Sequence, residues 1–231
     1  MKRIIKLLCP PILLFGISSI RKRRRNTTNS SSASNGLQQD LGIYWTEDMA
    51  NQLESWGKDH TWIEIECLLA SCSGKVLDIA CGTGVNIVSL SKFDFLEVYG
   101  FDISNLLLDK AKEKGIDSKY LKQFDATRTE YADNEFEYSY SIGSLEHFTE
   151  DGIDKFLAEC NRYTKKTAFH MIPVSENDEN NGWITRGQSY FNNSVEWWNK
   201  KFSKHFTRVY VLRSGWSDSG VSVGKWFICF K

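Results

Sequence analysis

The sequence predicts an α/β fold built on a seven-stranded, mainly parallel sheet with one antiparallel strand and helices on both faces. Three observations lead to this prediction. Apolar segments of strand length alternate with segments whose apolar residues recur every three or four positions. A glycine-containing turn follows the first of these strands, within "GKVLDIACGTGVN" at 74–86. Two apolar strands close the chain with only a short polar stretch between them, which indicates an antiparallel hairpin.

Each element has its own sequence signal. Helical periodicity covers 41–70, and Ser104 and Gly115 suit the N-cap and the end of a later helix. Strands are predicted at 75–80, 97–103, 119–126, 136–143, 166–174, 208–214 and 224–230. Further helices are predicted at 86–92, 104–115, 153–164 and 194–202, with a polar loop over 175–193. The domain is therefore expected to span 41–231.

Residues 1–25 differ from the rest of the chain in charge and hydropathy. The apolar run at 4–20 is shorter than a spanning helix requires, carries Lys6 and is interrupted by Pro10 and Pro11. Five cations follow it directly, which is rare after the apolar run of a signal peptide. We expect a segment lying in the interface of an anionic membrane, with a surface helix and a short anchor as alternatives. The polar stretch at 26–40 is predicted to be a flexible linker.

Charge and cysteine content exclude some classes of function. Eight of the 29 Lys and Arg lie in residues 1–25, so the remainder carries 21 basic against 29 acidic residues and is not expected to bind nucleic acid. The six cysteines form no CxxC pair and no zinc spacing, and we expect them to be reduced. No ligand cluster for a metal is evident. Three sequons occur, at Asn26, Asn29 and Asn192, and nothing else supports glycosylation.

The turn after the first predicted strand is a candidate nucleotide-binding loop. Gly82 and Gly84 are present, but Ile87 stands where a dinucleotide loop has its third glycine, and the Walker pattern is absent. Asp78 ends the strand, and its carboxylate would repel a pyrophosphate in a low-dielectric cleft. A cationic ligand without phosphate removes the conflict. S-adenosylmethionine, with an ammonium, a sulfonium and an adenosine, is such a ligand.

Two further acids occupy equivalent places after the next strands. Asp102 ends the second predicted strand, where an acid can accept hydrogen bonds from both ribose hydroxyls. Asp125 follows the third strand and suits the adenine amino group. Each acid alone could be an ordinary turn or cap residue. The predicted cofactor-binding residues are Asp78, Ala80, Cys81, Gly82, Gly84, Asp102, Ile103, Asp125, Ala126, Ser141 and Ile142.

Four motifs in order resemble those of class I S-adenosylmethionine-dependent methyltransferases. They are "VLDIACGTG", "YGFDIS", "QFDA" and "FEYSYSIGSLEHF", and the resemblance covers about 41–231. It implies a Rossmann-like fold, S-adenosyl-L-methionine as cofactor and methyl transfer as the activity. Ala80 replaces the first glycine of the usual loop, which is a common variant.

A narrower resemblance concerns the acceptor. "KLLCPPILL", "DHTWIEI" and "GKWFIC" look like segments of methyltransferases encoded with bacterial surface-polysaccharide assembly. This implies a sugar or sugar-linked acceptor, methylated at the cytoplasmic face of the membrane. A quinone, another small metabolite or a phosphoryl-linked group are alternative acceptors, and a scaffold that binds the cofactor without turnover is the alternative from another class.

The segment after the fourth predicted strand is expected to carry the chemistry. His147 is the candidate general base, because histidine titrates near neutrality, and Glu146 is a candidate to orient it or to contact the acceptor. His147 could instead cap a helix or pack in a wall. His170 lies in an apolar strand and is expected to be a core residue, and His60 and His205 are weaker candidates. Candidate acceptor-binding residues are Tyr44, Trp45, Trp183, Arg186 and Tyr190.

Overall fold

The computed structural model describes residues 39–231. A 3-10 helix at Leu41–Trp45 precedes the first α-helix. The α-helices are α1 (Glu47–Leu53), α2 (Thr61–Leu69), α3 (Val85–Leu90), α4 (Asn105–Glu113), α5 (Glu150–Tyr163) and α6 (Val195–Phe202). The strands are β1 (Gly74–Ile79), β2 (Leu96–Asp102), β3 (Leu121–Gln123), β4 (Phe136–Ile142), β5 (Thr164–Ser175), β6 (Trp183–Arg186), β7 (Gln188–Phe191), β8 (Arg208–Asp218) and β9 (Ser222–Phe230).

Seven of the strands form one sheet in the order β3-β2-β1-β4-β5-β9-β8. The neighbours from β3 to β5 pair in parallel, whereas β9 is antiparallel to both β5 and β8. The predicted fold class, including the single antiparallel strand and the closing hairpin, is therefore confirmed. The strand order reverses between β1 and β4, which places a ligand crevice at the carboxyl ends of these two strands.

Two apolar clusters cover the two faces of the sheet. Successive residues of β1 alternate between them, with Val76 in one cluster and Leu77 in the other. One cluster packs α5 and α6 against the sheet and the other packs α2, α3 and α4. His170 lies in β5 without exposure, with Nδ1 2.8 Å from the hydroxyl of Ser141, as expected for a core histidine.

The segment between β5 and α6 differs from the predicted polar loop. Residues Trp183–Arg186 and Gln188–Phe191 pair as a β-hairpin that turns at Gly187, whose φ of 77° suits glycine. The residues of its two strands do not alternate between apolar and polar, so periodicity does not detect them. The hairpin forms a two-stranded sheet of its own, apart from the main sheet. The hairpin brings Gln188 and Tyr190 to the ligand crevice.

The predicted membrane-interface segment at 1–25 lies outside the described residues, as does most of the predicted linker at 26–40. Across 39–231 the helices are all too short or too polar to cross a membrane. The same range contains no cluster of three or more His, Cys, Asp or Glu arranged to hold a metal ion.

Candidate active site

A cleft of about 720 Å³ opens at the carboxyl ends of β1, β2 and β4. The 3-10 helix and α1 form one wall, and the β6–β7 hairpin with the end of β8 forms another. The floor is the loop after β1. Most of the predicted site residues line this cleft, namely Tyr44, Asp78, Ala80, Cys81, Gly82, Asp102, Ile103, Asp125, Ala126, Ile142, Glu146, His147, Arg186 and Tyr190.

The loop after β1 has the backbone conformation that its glycines suggest. Ala80, Gly82 and Gly84 have φ values of 55°, 55° and 74°, all in the left-handed region. Gly84 is needed for packing, because an added Cβ would lie 2.5 Å from the Ile116 side chain and 2.9 Å from Cβ of Ala111. Ala80 takes the strained conformation without the freedom of glycine, which is the cost of the variant noted in the sequence.

The carboxyl of Asp78 is buried at the start of this loop and incompletely hydrogen-bonded. Within 39–231, its Oδ2, the Thr83 hydroxyl and Oδ1 of Asn86 lack hydrogen-bond partners although all are buried. Tyr140 lies opposite Asp78 on β4, and its hydroxyl also lacks a well-formed bond. Burial raises the pKa of Asp78 well above its usual value, and the nearby Asp102 adds to this effect. A cationic ligand would stabilise the ionised form of the Asp78 carboxyl and supply the partner that Oδ2 lacks.

Asp102 organises the loop and still faces the cleft. Its Oδ2 accepts a hydrogen bond from the Gly82 amide at 2.9 Å, and its Oδ1 accepts one from the Ser104 amide at 2.9 Å. Each oxygen keeps a further lone pair for a ligand hydroxyl. Burial raises the pKa of Asp102, whereas these backbone bonds lower it. Asp125 is exposed at the cleft rim, where its Oδ1 accepts hydrogen bonds from the amide and hydroxyl of Thr127.

His147 lies in the cleft wall in a defined tautomer. Its Nδ1 is 2.8 Å from the carbonyl oxygen of Ser189 on β7, so Nδ1 carries the proton and donates it. Nε2 is then the free acceptor, and 16% of the side chain is exposed. Burial lowers the pKa of His147, which keeps the ring neutral at pH 7. A neutral ring with a free Nε2 is the state that a general base requires.

Glu146 lies next to His147 and is only 2% exposed. Its Oε1 is 3.7 Å from Nε2 of His147, and its Oε2 has no hydrogen-bond partner in the described part of the chain. Burial raises the pKa of Glu146 to about 8. The carboxyl is therefore mainly protonated at neutral pH.

An aromatic wall stands beside these two residues, and sequence reasoning missed it. The rings of Trp56 and Trp216 are 5.7 Å apart, and both side chains line the cleft. Trp56 lies directly on Gly143, where an added Cβ would be 2.6 Å from the indole. Trp56 lies in the turns between α1 and α2, and Trp216 lies near the end of β8, so only the three-dimensional structure brings them together. Gln52 and Gln188 add neutral polar groups to the same region.

Four predicted site residues do not line the cleft. Ser141 is buried on the opposite face of β4, where its hydroxyl meets His170, so its side chain is turned away from the cleft. The alternation of a strand explains this placement, because Ile142 faces the cleft and its neighbour must face the other way. Gly84 packs under the loop. Trp45 is 40% exposed and donates from Nε1 to Asn105, whereas Trp183 packs against Phe191.

A family model described as a methyltransferase domain matches residues 76–167, which hold the loop, Asp102, Asp125, Glu146 and His147. The chain contains a methyltransferase domain. Its fold is the Rossmann-like, class I fold. The activity that the family match supports is S-adenosylmethionine-dependent methyl transfer. No curated protein matches the sequence.

Solved structures agree with this fold. The PH0226 protein from Pyrococcus horikoshii is 20% identical with a TM-score of 0.59, covering 81% of this chain and 95% of its own. An S-adenosylmethionine-dependent methyltransferase from Aquifex aeolicus is 18% identical with a TM-score of 0.58, covering 79% and 97%. A phosphoethanolamine N-methyltransferase from Haemonchus contortus, in complex with phosphomonomethylethanolamine and S-adenosylhomocysteine, is 15% identical with a TM-score of 0.60, covering 79% and 56%.

The residues of this methyltransferase domain fit its cofactor, S-adenosylmethionine. The unpartnered carboxyl oxygen of Asp78 suits an ammonium group, and the free lone pairs of Asp102 suit ribose hydroxyls. Ala126 is buried beside Asp125 at the end that suits adenine. Arg186 is the one Lys or Arg among the described lining residues, so a pyrophosphate would find few cationic partners in the cleft.

Proposed function

We propose that this methyltransferase acts on a hydroxyl of a sugar, or of a group attached to a sugar, in a surface glycan or its precursor. The observation that carries the proposal is the neutral His147 with its free Nε2 in the cleft wall, held by Ser189. A hydroxyl acceptor must lose a proton during methylation, whereas many amine acceptors are nucleophilic without a base. The geometry therefore favours O-methylation.

Each residue has a distinct part in the proposed reaction. When bound, S-adenosylmethionine supplies a methyl group whose bond to sulfur breaks as its bond to the acceptor oxygen forms. His147 takes the hydroxyl proton on Nε2, and the carbonyl of Ser189 keeps the ring oriented through Nδ1. Asp78 and Asp102 hold the cofactor end of the cleft, and the walls hold the acceptor in line with the methyl group.

The acceptor end suits an uncharged sugar ring. Trp56 and Trp216 offer flat apolar faces, and Gln52 and Gln188 offer neutral hydrogen-bonding groups beside them. Arg186 lies within 3.8 Å of Asp218 and is half exposed. A phosphoryl-linked acceptor is disfavoured, because the described lining of the cleft holds six carboxyl side chains against the single cation of Arg186. A quinone remains the main alternative among uncharged acceptors, since it too stacks on aromatic faces.

The test uses tritiated S-adenosylmethionine with a cell-envelope extract as acceptor. We expect label in a methyl ether of a sugar. His147→Ala should slow transfer by about 10²- to 10⁴-fold with S-adenosylhomocysteine affinity unchanged. Asp102→Ala should instead weaken that affinity by about tenfold or more, because charge-assisted hydrogen bonds are lost. His205→Ala, which changes a histidine near Asp154 outside the cleft, is the control.

Two results would contradict the proposal. If both variants lose cofactor affinity equally, His147 is not the base. If the protein binds S-adenosylhomocysteine but no extract fraction accepts label, a non-catalytic scaffold is favoured.

We also propose that residues 1–25 hold the enzyme at an anionic membrane on the cytoplasmic side, where a lipid-carried acceptor would be found. The support is the sequence alone, with eight cations and an apolar run in that segment. Deleting residues 1–36 should abolish co-sedimentation with anionic vesicles and leave activity on a soluble acceptor intact. Unchanged co-sedimentation would exclude the membrane role.

A further inference from the structure

Glu146 differs from the other carboxyl groups of the cleft in its position. Asp78, Asp102 and Asp125 lie at the cofactor end, whereas Glu146 lies beside His147. It is 2% exposed, and its Oε2 has no hydrogen-bond partner among residues 39–231. A buried polar atom without a partner is costly to the fold, so a ligand atom is the natural partner for it.

Glu146 does not orient His147 in the way that the aspartate of a catalytic triad does. In a triad, the carboxylate accepts a hydrogen bond from the ring nitrogen opposite the reactive one. Here the carbonyl of Ser189 takes that place, 2.8 Å from Nδ1. Glu146 lies on the Nε2 side, with 3.7 Å between Oε1 and Nε2, which is too long for a hydrogen bond. It therefore faces the position of the acceptor.

The surroundings of Glu146 keep its carboxyl neutral. Tyr44 faces it from the 3-10 helix and His147 from its own segment, and both are neutral at pH 7. Among the described residues, its one partner within ion-pair distance is His147. A neutral carboxyl donates one hydrogen bond, which a carboxylate cannot do.

We propose that Glu146 is a specificity residue that donates a hydrogen bond to an oxygen next to the hydroxyl that is methylated. The acceptor class that follows is a vicinal diol, such as two neighbouring hydroxyls of a sugar ring. One hydroxyl meets Nε2 of His147 and its neighbour meets Oε2 of Glu146. The acceptor class rests on the proposed function, but the charge state of Glu146 does not.

The first test needs no acceptor. The pKa of His147 is measured by NMR titration in the wild type and in Glu146→Gln, with the signal assigned from His147→Gln. If Glu146 is neutral, its replacement by a neutral amide of similar shape leaves the pKa of His147 within a few tenths of a unit. If Glu146 is a carboxylate, the substitution lowers that pKa by more than about one unit, and the proposal is overturned.

The second test measures label transfer to the cell-envelope extract. Glu146→Gln should keep its rate within about threefold, because the amide also donates, whereas Glu146→Ala should lose about tenfold or more. Unchanged affinity for S-adenosylhomocysteine shows that both variants are folded. Glu130→Gln, an exposed glutamate outside the cleft, should match the wild type. Equal losses in Glu146→Gln and Glu146→Ala would overturn the donor role.

A third test addresses the diol itself. Periodate cleaves vicinal diols, so an extract treated with periodate should no longer accept label, whereas an extract given periodate already quenched with glycerol should accept it fully. Undiminished transfer after oxidation would overturn the diol assignment. If no untreated extract accepts label, the proposed function fails, while the titration of His147 still decides the charge state of Glu146.

Discussion

The pH dependence of stability offers a direct test of the buried, protonated Glu146. Burial raises its pKa from 4.5 to about 8 in the folded protein. Between these values the folded state holds a proton that the unfolded state has released, so the free energy of unfolding falls as pH rises. The contribution is fully present below the unfolded pKa of 4.5 and is lost as the pH rises through 8.

The size of the effect follows from the two pKa values. Each pH unit between them lowers the free energy of unfolding by about 1.4 kcal/mol. From pH 5 to pH 8 the accumulated loss is about 3 to 4 kcal/mol for this group alone. Glu146→Gln has no titrating proton and avoids the loss. The variant should therefore gain stability relative to the wild type as pH rises.

Urea denaturation at pH 5, 6, 7 and 8 measures the difference between the two proteins at each pH. His170 and the other titrating groups are common to both, so their contributions cancel in the difference. Glu130→Gln, which changes an exposed glutamate outside the cleft, is the matched control for the substitution itself. A constant difference between wild type and Glu146→Gln would refute the burial argument and the neutral state with it.

Three further predictions follow from the packing and the core. Gly84→Ala should destabilise the protein by about 2 kcal/mol more than Gly115→Ala. Both glycines have positive φ, but an added Cβ clashes only at Gly84. Equal unfolding free energies of the two variants would exclude the clash. Ala80→Gly should stabilise the fold by about 1 kcal/mol in thermal unfolding by relieving a left-handed alanine, and a lower melting temperature would count against that strain. Burial lowers the pKa of His170 to about 3, so the free energy of unfolding falls by about 1.4 kcal/mol per pH unit as the pH falls from 6.5 towards 3. His170→Gln should show a smaller loss over this range in urea denaturation. Equal losses in the wild type and the variant would contradict the prediction.

Much of the fold could be predicted because the local signals agree with the tertiary structure. The buried strand before the glycine loop, the Ser104 N-cap and the closing hairpin were all confirmed. The β6–β7 hairpin was missed, because its strands pair only with each other and their residues follow no strict alternation. Apolar periodicity detects elements that bury one face against the main core, whereas this hairpin packs over a cleft.

The end of the cleft at which we propose that the cofactor binds could be predicted better than the proposed acceptor end, for a physical reason. The residues of the cofactor end follow successive parallel strands, and the carboxyl ends of such strands meet at one edge of the sheet. Asp78, Asp102 and Asp125 accordingly line one cleft. The acceptor end is assembled from distant segments, so Trp56 and Trp216 could not be paired from spacing. Ser141 could have been excluded from the site by its sequence position, because neighbouring residues of a strand face opposite sides and Ile142 faces the cleft.

The central claim is that the carboxyl groups of the cleft select a cationic nucleoside without phosphate. Titration calorimetry with S-adenosylmethionine, S-adenosylhomocysteine, NAD and ATP tests it most directly. We predict one-to-one binding of the first two, weakened in Asp102→Ala, and no measurable heat with the phosphate-bearing ligands. Tight binding of NAD or ATP, with no binding of S-adenosylhomocysteine, would contradict the account.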